Sequence, residues 1–257
     1  MITNCAYKFN SGISNINYKK QNKQTNNINC LNTSSSQSYI PTIKLRSYFP
    51  NISFRGNETT YNKDGIEKLD IPNLHCTNQN GVRGESLSHK RNKRFIPMMK
   101  DYGIKQVIDL KTSDHSENFK YYVESNGLSY SHFPMDSEKA TDREIIDYLP
   151  EFFKAINKGE FYIACAQGLH RTDIALAVNY FFNKDANEEP PILYGHQSSE
   201  GVRYSDILRR TNSIFKALTD EDKAILGIEN LDEKTYKAKK DKLIDANNQY
   251  NLSCFKK

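Results

Sequence analysis

A chain of 257 residues with 37% hydrophobic and 26% charged residues has apolar material for one moderate core, and no apolar run approaches the ~18 residues of a membrane span. The net charge of +5 comes from the start of the chain, where residues 1–57 hold seven basic residues and no acidic one, leaving 29 basic against 31 acidic residues in the rest. A near-neutral remainder does not suggest the basic face that nucleic-acid binding needs, so no nucleic-acid partner is expected.

Five cysteines, at 5, 30, 76, 165 and 254, show neither paired nor metal-ligand spacing. Reduced thiols, no metal, no cofactor and a cytoplasmic working compartment are expected. Residues 1–50 are rich in Asn, Ser and Lys, with KKQNKQTNNIN and LNTSSSQS as low-complexity blocks, and read as a disordered leader. They contain no apolar stretch of a secretory signal. Two readings stay open for them: a plain flexible tail, and a leader for export by a specialised bacterial secretion system.

A folded domain is expected over 51–218. It begins with a strand at Ile52–Gly56, followed by a polar, irregular segment around Pro72 and a second short strand at Gly81–Gly84. Arg83 is open to two readings, a surface turn and a functional residue. Phe95–Tyr102 reads as a helix that stops at Gly103, with Pro97 in its first turn. Gln106–Leu110 follows as a strand, Asp114 with Glu117 opens a helix that stops at Gly127, and Leu128–Phe133 is the next strand. Helices separating strands imply right-handed crossovers and a central, largely parallel sheet flanked by helices, an α/β fold.

Phe133–Ala140 is a loop that leads to the capping box Thr141-Asp-Arg-Glu144. Ile145, Ile146, Leu149, Phe152, Phe153 and Ile156 then keep helical spacing. Asp142, inside the box, reads as a carboxylate favoured at a helix start. Next comes EFYIACAQGLHRTDIALAVNYFF, residues 160–182, in which an apolar strand ends at Cys165 and an apolar helix begins near Thr172.

Between them, Cys165-Ala-Gln-Gly-Leu-His-Arg171 is a tight loop. Such a turn aims successive backbone N–H groups of Ala166, Gln167, Gly168, Leu169, His170 and Arg171 into one concavity at the positive end of a helix, a cup for a tetrahedral oxyanion. The same environment favours a thiolate, which marks Cys165 as a nucleophile. Arg171 offers the planar fork that matches two phosphate oxygens. Gly168 permits the backbone turn, and the Thr172 hydroxyl can donate to the sulfur when it leaves. A Cys six residues before an Arg, with Gly in this place, arises by chance in roughly one chain in a hundred of this composition.

The stretch resembles the phosphate-binding loop of the cysteine-based protein tyrosine and dual-specificity phosphatases, Cys-x5-Arg followed by Ser or Thr, over roughly Val82 to Phe182. The ending Gly-Leu-His-Arg-Thr is similar to the atypical dual-specificity and inositol-pyrophosphate branch. The resemblance implies a phosphocysteine mechanism on a phosphorylated protein or small phosphate ester, with Asp136 as general acid on the loop before the capping box. Glu138 and Asp142 are its rivals, and His132 and His170 read as structural. Two residues depart from the pattern: Ala164 replaces the usual His before the nucleophile, and Asp173 stands where Gly is common. They leave room for a phosphate-binding module without turnover. The inositol phosphate alternative lacks loop lysines, since Ala166, Gln167 and Leu169 offer none.

After Phe182 the motifs thin out. Pro190-Pro191 and Gly195–Gly201 form a long connection, followed by amphipathic helices at Ser205–Leu218 and Asp232–Asn247. Residues 219–257 are expected as a charged helical extension, in which the helix at Asp232–Asn247 is a loosely packed appendage. Arg203, Arg209 and Arg210 read more simply as exposed arginines than as substrate contacts.

Overall fold

The structure, a computed structural model, describes residues 60–111, 117–135, 140–195 and 205–255. The leader, the strand expected at 52–56, and Asp114, Asp136, Glu138 and Arg203 lie outside these residues. In chain order the described elements are α1 (Lys63–Glu67), β1 (His75–Cys76), β2 (Gly81–Arg83), a 3-10 turn at Lys93–Phe95, α2 (Ile96–Asp101) and β3 (Gln106–Asp109). They continue with α3 (Glu117–Ser125), β4 (Ser129–His132), α4 (Asp142–Asn157), β5 (Phe161–Ala164), α5 (His170–Phe182), α6 (Ser205–Ala217), α7 (Asp220–Leu226) and α8 (Glu233–Phe255).

The strands form one sheet in the order β1-β2-β5-β3-β4. Its first pair is antiparallel and the remaining pairs are parallel. The last strand in sequence, β5, is therefore the central one, inserted between β2 and β3 with Val82 and Val107 both registered on Tyr162. That insertion is a topological switch point, where loops at the carboxyl ends of strands diverge and leave a crevice.

Both faces of the sheet are covered at its centre, which explains why the central strand β5, Phe161–Ala164, reads as a continuous apolar run rather than as an alternating one. Phe161 and Ile163 of β5 join Ile108 in a core built with α4, α5, α6, α7 and α8. Tyr162 and Ala164 point the other way, into a second core with Val82, Val107 and residues of α1, α2 and α3. The buried Gln106 side chain donates to the carbonyls of Ala155 at 2.6 Å and Gly159 at 3.2 Å, and so satisfies the carboxyl end of α4.

At the other end of α4 the expected capping box is present in both directions. The Glu144 amide donates to Thr141 Oγ1 at 3.2 Å, and the Thr141 amide donates to Glu144 Oε2 at 2.7 Å. Two readings of the carboxyl-terminal part are corrected. A short helix that the sequence reading did not anticipate, α7, starts at its own capping box of Thr219 and Asp222. The last helix is also longer than 232–247 and is no loose appendage: Tyr236 and Leu243 are buried in the same core as α5. Its Asn247 accepts from the Leu193 amide at 2.7 Å and donates to the Pro191 carbonyl at 2.9 Å, clamping the connection that follows α5. Among the described residues, no helix is long and apolar enough to cross a membrane.

Candidate active site

β5 delivers Cys165 to the carboxyl edge of the sheet, beside the end of β3 where Asp109 is registered on Ala164. The Cys165 residue is only 3% exposed. Its amide donates to Thr172 Oγ1 at 3.2 Å, so the hydroxyl proton of the fully buried Thr172 is left to face the sulfur. Burial pushes the Cys165 thiol up. The Thr172 hydroxyl and amide, the Arg171 charge and the Gln167 amide together outweigh that, and the thiol lies below its ordinary value. This holds although Ala164 supplies no imidazole next to it.

The shape of the loop follows from where its carbonyls go. Ala166 O accepts from the Ser86 amide at 3.1 Å, Gln167 O from Asn73 Nδ2 at 2.9 Å, and Gly168 O from Arg83 Nη2 at 2.7 Å. Leu169 O accepts from Arg83 Nη2 at 3.3 Å and from the Asp173 amide at 2.8 Å. Four successive carbonyls are thus held by groups behind the loop. In a planar trans peptide the N–H points opposite to the C=O, and none of the described peptides is cis. The amides of Gln167, Gly168, Leu169 and His170 are therefore turned to the inner side, as an oxyanion cup requires.

Gly168 is required twice over. Its φ is +71°, and a Cβ there would lie 2.1 Å from the Gly84 carbonyl oxygen, so backbone packs on backbone at this point. Gly84 in turn leaves space for Tyr162, whose hydroxyl donates to Glu85 O at 2.6 Å. The segment 72–86 is therefore the rear wall of the cup.

Arg83 is a buried residue, 1% exposed, which corrects the surface-turn reading. Its Nη1 donates to Asp173 in the first turn of α5. Asp173 is 0% exposed and also accepts from the Gly195 amide at 2.8 Å. The negative charge that looked out of place beside an anion cup is therefore matched by a guanidinium behind it.

The remaining candidates separate by environment. Arg171 is half-buried at the start of α5, and its charge reaches the sulfur. His170 is 4.0 Å from the Asp206 carboxylate of α6, so it faces a helix. Asp142 accepts from Ser213 Oγ and pairs with Arg210 Nη1 at 2.9 Å, which joins α4 to α6 and fits the helix-start reading. Asp109, though not a candidate, ends β3 close by and accepts from the Lys111 amide at 3.0 Å and from the Tyr130 hydroxyl at 2.9 Å. His132 lies against the Lys111 carbonyl. Arg209 is exposed and reaches Asp206 at 3.5 Å. Asn73, Ser86 and Asp173 were not singled out by sequence as parts of the cup's support. The Asp departing from the loop pattern was the single available signal.

No protein-family profile matches this chain, and no curated protein does. Among solved structures it is similar to TpbA of P. aeruginosa, with 13% identity over 59% of this chain and 86% of that one and a TM-score of 0.38. It is similar to a putative phosphatase (DUF442) from Shewanella putrefaciens, at 14% identity, 64% and 93% coverage and a TM-score of 0.37. A third is the core catalytic domain of the PP-IP phosphatase SIW14 from S. cerevisiae, at 14% identity, 68% and 96% coverage and a TM-score of 0.36. With TM-scores below 0.5, what bears on function is the loop itself.

Proposed function

We propose that this chain is a cysteine-dependent phosphatase of the protein tyrosine or dual-specificity type, hydrolysing a phosphomonoester by double displacement. The observation that carries this reading is the set of four outward-held carbonyls around a buried, acidified Cys165 thiol. In the first step the Cys165 thiolate attacks phosphorus, an S–P bond forms and the P–O bond to the leaving group breaks. Arg171 and the inward amides hold the charge of the three equatorial oxygens, and Asp136 gives its proton to the departing oxygen. In the second step water attacks phosphorus, its proton passes to the Asp136 carboxylate, and the S–P bond breaks. Thr172 then donates to the returning thiolate.

Cys165→Ser tests the reading. Turnover of an aryl phosphate should vanish while binding of inorganic phosphate or vanadate persists, because backbone and Arg171 make the cup. Wild-type turnover in that variant would exclude a phosphocysteine. A panel of phosphotyrosine and phosphoserine peptides and inositol phosphates sets the substrate class. Turnover confined to inositol phosphates would move the assignment to that alternative, and binding without any turnover would leave a phosphate-binding module.

A further inference from the structure

Two features of the loop look like defects when taken singly. Ala164 cannot brace the loop as an imidazole would, and Asp173 brings a carboxylate to the start of α5 beneath an anion cup. The structure joins the second of these to Arg83. Asp173 receives Arg83 Nη1, the Gly195 amide at 2.8 Å and the Tyr194 amide at 3.3 Å. The same guanidinium uses Nη2 on the carbonyls of Gly168 at 2.7 Å and Leu169 at 3.3 Å, and Nη1 also reaches the Ile192 carbonyl at 3.3 Å. Its carbon sits 5.0 Å from the centroid of the Tyr194 ring, and that ring stacks on His75 with centroids 3.7 Å apart. The fork is held from several directions and has little freedom to turn.

Resting on the phosphatase reading, we propose that Arg83 and Asp173 are the positioning pair of the phosphate cup: Asp173 orients the guanidinium, and the guanidinium holds the Gly168 and Leu169 carbonyls away from the bound oxyanion. Neither side chain touches the substrate. The charges of the pair cancel, so its contribution is geometric, aiming the Leu169 and His170 amides inward. A planar fork is needed because one nitrogen serves the carboxylate and the other the carbonyls, a division that an ammonium cannot reproduce. The pair therefore supplies from behind the loop a rigidity that Ala164 does not supply beside it.

The test reads anion binding and thiol reactivity, neither of which requires turnover. Orthovanadate binding is measured by calorimetry. The pH dependence of iodoacetamide modification at Cys165 is followed on its own peptide by mass spectrometry. In folded Arg83→Lys, vanadate affinity should fall about tenfold, the size of one misplaced charge-assisted donor. The alkylation midpoint should rise by about one pH unit, toward the ordinary thiol value of about 8.5. Asp173→Asn keeps the shape and one acceptor, so the same shifts should appear at smaller size. If Arg83→Lys does not fold, the double variant Arg83→Met/Asp173→Leu removes both buried charges together, and a folded product that has lost vanadate affinity supports the role. Folded variants that bind vanadate within about twofold of wild type, less than the ~1.4 kcal/mol of a tenfold change, and alkylate with the same midpoint overturn the positioning role alone. A wild-type chain that binds neither vanadate nor phosphate overturns the phosphatase reading, and the pair's role with it.

Discussion

Two arginine–aspartate forks hold this fold together at different depths. Arg83 and Asp173 join the end of β2 to the start of α5, with side chains 1% and 0% exposed. Arg143 and Asp222 join α4 to α7 through two nitrogen–oxygen contacts of 2.9 Å, with side chains 53% and 8% exposed. The partners are similarly far apart in sequence, 90 and 79 residues. What differs is water. An arginine left behind at the inner site has no solvent to take the place of its carboxylate, whereas at the outer site water and salt replace the partner at little cost. The same chemical unit should thus weigh more at the buried loop than at the half-exposed helix junction.

Asp173→Ala should break the comparison most sharply. It strands the Arg83 charge, and breaking a buried pair typically costs about 3–5 kcal/mol, read as a fall in the urea midpoint at unchanged slope. Retention of wild-type stability would mean that the guanidinium finds other acceptors behind the loop.

Between the two extremes lies Asp142, paired with Arg210 and Ser213. Asp142→Asn should lower stability by less than Asp173→Ala and leave the pH profile of turnover unmoved. Asp136→Asn should do the reverse: it should cost about 10²–10⁴-fold in turnover of a phosphoserine peptide, far less for an aryl phosphate with an acidic phenol, and remove the alkaline limb of kcat/KM. Exchange of these two outcomes would transfer the general-acid role to Asp142.

The smallest effect is expected at Asp222. Hydrogen bonds from Arg143, followed by those from Thr219, hold its carboxyl at about 2. The folded value is below that of a free aspartate, about 3.9, so the stabilisation is fully present above pH ~4 and is lost as the pH falls toward 2. Asp222→Asn should therefore lose at pH 7 the stabilisation that the ionised carboxylate supplies there, less than Asp173→Ala because Arg143 is half-exposed, and flatten the acid side of the stability curve between pH 4 and 2. Its cost at neutral pH should shrink further at 1 M salt, where the screening length drops to about 3 Å. A variant at Asp173 should keep its cost in the same salt.

The α/β architecture, the strand–loop–helix at Cys165 and the Thr141–Glu144 box were legible because each is written in local periodicity or in residues three apart. The rear wall of the cup was not. Arg83 meets Asp173 only because β5 inserts beside β2, and the three-residue strand that carries Arg83 is too short for any periodicity to distinguish a buried fork from a turn arginine. The extent of α8 was misread for a related reason. Its apolar contacts, Tyr236 and Leu243, are few and widely spaced among lysines, and what anchors it further is a polar residue, Asn247, bonded to a distant connection. The role of Asp136 rests on resemblance, since the residue lies outside the described part of the chain.

All residues from Thr172 to Phe182 in α5 are buried. A helix with no wet side has no local route by which its amides can meet solvent, so their hydrogen exchange should proceed through opening of the whole core. Ligand-binding loops are commonly drawn from the least stable part of a protein, but here the loop proposed to bind the anion leads straight into the first turn of an enclosed helix. Phosphate bound at 100 times its Kd would accordingly add about 2.7 kcal/mol to the protection of the entire buried helix, not of the loop alone. The cup and the core should melt as one cooperative unit.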